Sequence, residues 1–143
     1  MRITKIDLQI EDLMWFGVDN QNHIFECTTA GVGNVPEFVC RSKEKCEQVE
    51  KYFLDEAEEI TEFILHTEYE NNQLFEDCLL LARKGIFCYD VSTADPQQYK
   101  KISSPVQPLK FDDLPENIKK IMIDHKVDIN AKTEPIIRVG HAY

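Results

Sequence analysis

Four histidines, five cysteines and 26 acidic residues are the side chains of this sequence with the most chemical potential. His23, His66, His125 and His141 lie far apart and share no i,i+4 spacing, so none belongs to the HExxH pattern that holds zinc from one helix face. Cys27, Cys40, Cys46, Cys78 and Cys88 are odd in number and scattered singly, without a CxxC pair. They read as reduced thiols, mostly in the core. Cys40 and Cys46 stand near the start of a predicted helix whose dipole favours a thiolate, but Glu44 and Glu47 oppose it. Gly31-Val32-Gly33 lacks the third glycine and the strand-to-helix setting of a dinucleotide loop. No basic residue lies between it and Arg41, which speaks against phosphate binding. Glu37, between Pro36 and Phe38, is the carboxyl whose neighbours best suit a raised pKa, although a plain loop role is the simpler reading. No GxSxG elbow occurs. The sequence therefore predicts no catalytic residue, no metal ligand and no cofactor.

The elements that position these residues are arranged around Trp15–Phe38. Trp15-Phe16-Gly17-Val18 and Ile24 to Thr29 have the aromatic and β-branched character of strands. Asp19-Asn20-Gln21-Asn22 between them is turn material, since Asp and Asn bond their own backbone and tolerate positive φ. Alternation puts Phe25 and Cys27 on the core face and Glu26 towards water. Trp15 is expected in the core. Ile6, Leu8 and Ile10 suggest a short strand leading into the hairpin. From Ser42, a helical stripe of Cys46, Val49, Phe53, Ala57, Ile60, Phe63 and Ile64 predicts one long helix capped by Ser42. Glu70-Asn71-Asn72 breaks the pattern before a second helix from Leu74 to Gly85, where glycine follows Arg83 and Lys84. Ile86–Val91 reads as a central strand, Asp95-Pro96-Gln97 as a turn, and Tyr99–Ser103 as an antiparallel partner. Pro115 opens a third helix that buries Ile118, Ile121 and Met122. Val127–Ile129 and Pro135–Val139 suggest a last strand, marked as an edge by Pro135. The expected class is α+β: a single domain over residues 1–143, with a mostly antiparallel sheet of four to five strands covered on one face by two to three helices.

The net charge of −10 argues against nucleic acid and against anionic membranes, both of which attract clustered lysine and arginine. No run approaches the ~18 apolar residues of a membrane helix. The N-terminus carries acids where a signal peptide is apolar, so a cytoplasmic protein is expected. On the predicted long helix, Glu47, Glu50, Asp55, Glu58, Glu59 and Glu62 have few lysines to offset them. Their plain role is a solvated face; their functional role is a surface for a basic protein.

The segments WFGVDNQNHIFECTTAGVGNVPEFV, RKGIFCYDV and SPVQPLKFDDLPENI resemble small bacterial proteins of the immunity type found in polymorphic-toxin systems. The resemblance covers about half of the chain, on motifs that are structural. It implies a cytoplasmic antidote that binds a toxin domain and has no catalytic residues of its own. Asp19 and Asn20 in the turn, with Glu47, Asp55, Glu58, Glu59 and Glu62, are then the candidate partner-binding residues, and a basic toxin domain is the candidate partner. Two other readings compete: a small-ligand binder or enzyme with the 30–38 loop as pocket rim, and a structural homodimer joined through an uncovered sheet face.

Overall fold

Asp19 folds the chain back on itself, and the hairpin it closes begins a mixed sheet. The computed structural model describes residues 1–66 and 75–143. Strands β1 (Met14–Val18) and β2 (Ile24–Thr28) pair antiparallel, with Trp15 opposite Cys27 and Val18 opposite Ile24. The Asp19 carboxylate accepts the amides of Gln21 and His23 at 2.9 and 2.8 Å, and Asn22 takes φ 60°. A side chain that bonds its own turn, followed by a residue at ease in the left-handed region, makes this reversal local.

β3 (Phe63–Leu65), β4 (Phe87–Ser92), β5 (Asp95–Pro105) and β6 (Ile136–Arg138) complete six strands among the described residues. The order is β1-β2-β4-β5-β3, with β6 beside β3 on the outer edge of β5. Among the described strands only β2 and β4 pair parallel, Phe25 opposite Phe87 and Glu26 opposite Cys88. The predicted α+β class and mostly antiparallel pairing are present, with six strands where the sequence suggests four to five. The helices are α1 (Lys5–Ile10), α2 (Glu37–Cys40), α3 (Lys43–Lys51), α4 (Glu76–Arg83) and α5 (Glu116–Met122).

Helices α3, α4 and α5 cover one face of the sheet, as expected, and the other face is covered as well. On one side Trp15, Phe25, Cys27, Phe87, Tyr89 and Tyr99 pack with Ile3, Val39 and Cys40. On the other, Phe16, Ile24, Cys88 and Ile102 meet Val49, Phe53, Cys78, Leu81, Ile118 and Met122 from the helical layer. Each fully buried phenylalanine here contributes about 1.5–3 kcal/mol over an exposed one. Glu26, expected to face water, is therefore completely buried. Alternation placed it correctly opposite Phe25 and Cys27, but that opposite side is also core.

Four further expectations are corrected. Residues 6–10 form a helix, because Thr4 accepts the Asp7 amide while the Asp7 carboxylate accepts the Thr4 amide, a reciprocal capping box. The helix begun at Ser42 does bury Cys46, Val49 and Phe53, but it widens into a π turn over Tyr52–Glu56 and ends at Ala57. Lys84 donates to the Phe53 and Leu54 carbonyls at 2.7 and 2.8 Å, satisfying groups that a continuing helix would have used. Ile60 and Ile64, placed on the buried stripe by periodicity, are consequently exposed, and Phe63–Leu65 pairs with β5. Asp95 already belongs to β5, opposite Ser92, so the chain reverses just before the predicted turn. Val127–Ile129 adds no strand; Lys126 makes one parallel bridge to Val18. The predicted break at Glu70–Asn72 and the helix start at Leu74 lie outside the described residues. α4 itself ends as expected, on Gly85 at φ 92°.

Candidate functional site

The acids singled out from the sequence do not form one helical face. Glu47 is exposed on α3 and Asp55 on the π turn, whereas Glu58, Glu59 and Glu62 lie beyond the helix end, exposed in the segment leading to β3. Glu59 is engaged by Arg83 at 2.6 Å. Asp19 is 2% exposed and accepts three backbone amides, from Gln21, His23 and Ala131, so it organises the turn and does not belong to an outer surface. Asn20 is exposed and donates to Asp128 at 3.1 Å.

A different group of acids does converge. Asp12 precedes β1, Glu50 closes α3, Asp77 lies in the first turn of α4, and Asp90 projects from β4. With Met14, Thr28, Ala30, Phe75 and Cys78 they line a cleft of about 390 Å³. The parallel pairing of β2 with β4 frames it, since β2 ends at Thr28 opposite Asp90 while β4 runs on to Ser92. Asp12 also holds the rim in place by accepting the Ala30 amide at 2.8 Å.

No lysine or arginine is among the described residues lining this cleft, and none occurs in the sequence from 67 to 74. The electrostatics follow. Burial pushes the Glu50 carboxyl up, and Asp77, Glu47, Asp12 and Asp55 push it further. Asp90 is raised by burial and by Asp12, against the pull of its bond from the Val91 amide. Such a pocket stabilises positive charge. Among the described residues, no three of these four carboxylates bring ligand oxygens within 4.8 Å of one another, so their spacing suits an ammonium or guanidinium group better than a bare divalent ion.

Behind the cleft wall lies Glu26, its Oε1 bonded by the Thr28 hydroxyl at 2.5 Å and its Oε2 without a hydrogen-bond partner. Burial raises its pKa well above the usual carboxylate range. Sequence reasoning missed this whole group. The available signal was the i,i+2 spacing of Glu26 with Thr28 and of Cys88 with Asp90, which puts each pair on one side of a strand.

The 30–38 loop lines a second cavity of about 240 Å³, with Lys5, Leu8, Gln9, His141 and Tyr143 on its other walls. Glu37 is not among the residues that line this cavity. Arg2 grips Glu37 with two bonds of 2.7 and 2.6 Å, and this pairing lowers its pKa. The five cysteines are free and buried. Burial pushes Cys40 up to about 11 and Cys46 to about 12, which overrides any help from the nearby helix start. No helix among the described residues is long and apolar enough to cross a membrane.

Comparison with protein-family models, curated proteins and solved structures returned no match to this chain. The functional reading therefore rests on the cleft's own chemistry.

Proposed function

We propose that this is an acidic protein-binding domain, an immunity protein that acts in the cytoplasm and neutralises a cognate toxin by direct contact. The observation that carries the reading is the cleft itself: four carboxylates delivered by the loop before β1 and by α3, α4 and β4, with no cation among its described lining residues. A lysine or arginine side chain of a basic partner would replace the solvent that keeps these acids apart, and Glu47 and Asp55 would extend the attraction outward. Complementary charge of this kind speeds encounter and fixes register more than it adds area.

The test uses the protein product of the neighbouring reading frame as the probe. Its affinity is measured against the wild type, against Asp12→Asn/Glu50→Gln/Asp77→Asn, and against a reversal of Asp55, Glu58, Glu59 and Glu62 to lysine. The cleft variant is expected to bind about 100-fold more weakly, with most of the loss appearing at low salt. Undiminished binding by the cleft variant overturns the role of the cleft. Absence of any binding to that product overturns the immunity reading. Burial of residues on both faces of the central strands favours this reading over a homodimer joined through an open sheet face.

A further inference from the structure

Glu26 is the one fully buried carboxylate with an unpartnered oxygen among the described residues, and two thiols surround it. Strand register puts it directly opposite Cys88 in the parallel β2–β4 pair, and α4 lowers Cys78 onto the same face. One ligand atom from each of Glu26, Cys78 and Cys88 lies within 4.8 Å of the other two, and all three residues are buried. Tetrahedral zinc, with bonds of about 2.0–2.3 Å, separates its ligand atoms by roughly 3.3–3.8 Å. Small rotamer changes therefore close the observed spacing. We infer that Glu26, Cys78 and Cys88 form a site for a thiophilic divalent cation, zinc by chemistry, whose fourth position faces the acidic cleft.

Several features support a built site over a chance neighbourhood. A buried carboxylate is costly unless it is protonated or paired with a cation, and no lysine or arginine bonds Glu26. The Cys88 thiol lies 3.5 Å from the Cys78 carbonyl and 3.7 Å from that of Ile86, and it reaches the Glu26 carboxyl and the Ser103 hydroxyl as well. Supporting bonds are already in place: Thr28 orients the Glu26 carboxyl, and Ser103 donates to the Cys78 carbonyl at 2.9 Å. An approach exists as well, because Thr28 and Cys78 both line the cleft, whose acids draw cations inward. Two sulfur ligands select zinc over magnesium or calcium. Binding would release the two thiol protons and the carboxyl proton, leaving two thiolates and one carboxylate around the dication. The site's net charge of one minus keeps the cleft acidic, so the inference stands apart from the identity of any partner.

The experiment uses the full, reduced, metal-free chain, titrated with cobalt and then with zinc. The expected result is a thiolate-to-cobalt charge-transfer band that saturates at one equivalent and is abolished by zinc. Glu26→Gln, a near-isosteric change, is expected to weaken zinc binding about 100-fold while the chain stays folded by circular dichroism. Cys78→Ser should remove most of the charge-transfer intensity. The absence of a thiolate band in the wild type overturns the inference without recourse to any variant. So does a band that survives Cys78→Ser undiminished, an undiminished zinc affinity in Glu26→Gln, or a Cys78–Cys88 disulfide that forms in preference to the metal complex.

Discussion

Asp19 and Ala131 meet across nearly the whole sequence: the second oxygen of the Asp19 carboxylate accepts the Ala131 amide at 2.9 Å. The same side chain that closes the β1–β2 turn thus anchors the loop before β6. Both residues are buried, so loss of the carboxylate would strand three backbone amides. Asp19→Ala is expected to destabilise the fold by about 3 kcal/mol, seen as a lower urea midpoint with an unchanged m-value. A midpoint equal to that of the wild type would refute the anchoring role.

Gly33 is required by close approach. A Cβ at this position would stand 2.3 Å from the Tyr99 hydroxyl and 3.0 Å from Val91, and that hydroxyl donates to the Asn34 carbonyl at 2.7 Å. Gly33→Ala should cost about 1–3 kcal/mol by displacing a buried tyrosine. Gly140→Ala, with nothing within 4 Å of its added carbon, should stay within about 0.5 kcal/mol of the wild type. Thermal melts of the two variants side by side check the contrast.

Repulsion in the cleft costs stability. The Glu50 pKa is raised in the folded chain by burial and by Asp77, Glu47, Asp12 and Asp55. Its ionised form therefore weakens the fold above the ordinary glutamate pKa, and that loss is recovered as pH falls through the raised value. Glu50→Gln should raise the Tm at neutral pH. The gain should shrink in molar salt and vanish as pH approaches 4.5, the unperturbed value. A Tm that falls at pH 7 would contradict the repulsion.

His125 should impose the opposite trend near neutrality. Its Nδ1 lies 3.2 Å from the Phe16 carbonyl, Phe38 packs on its ring, and burial lowers its pKa below 6.5. Asp124 pulls the pKa up again, while Arg41 and Lys45 press it down. A depressed histidine contributes stability that is complete above pH 6.5 and is lost as pH falls towards the folded value, because only the unfolded chain takes up the proton readily. The slope reaches at most about 1.4 kcal/mol per pH unit. His125→Gln should remove that slope from a plot of unfolding free energy between pH 5 and pH 7, read by urea titration at each pH; a slope identical to that of the wild type would exclude the assignment.

The elements legible in the sequence are those whose signals are local. Asp19 to Asn22 announces its turn, Gly85 closes α4, and Pro115 opens α5, each by its own backbone preference. The Thr4–Asp7 capping box was equally local, but the alternation of Ile6, Leu8 and Ile10 imitates a strand over the same residues. The end of the long helix was hidden for a different reason. Neither glycine nor proline marks Ala57, and its stop depends on Lys84, which reaches back from beyond α4. The cleft and the Glu26 cluster were the least accessible of all. They exist only because β2 lies parallel to β4 and both sheet faces are covered, relations between segments that no short window of sequence contains.

That parallel neighbour has a cost during synthesis. β2 leaves the ribosome with β1 already available to pair on one side, but its other edge has no companion until Phe87 to Ser92 emerge. At ordinary elongation rates the wait is on the order of several seconds. Throughout that interval the nascent hairpin presents an open strand bearing Phe25 and Cys27, and a second nascent copy could pair there as readily as β4.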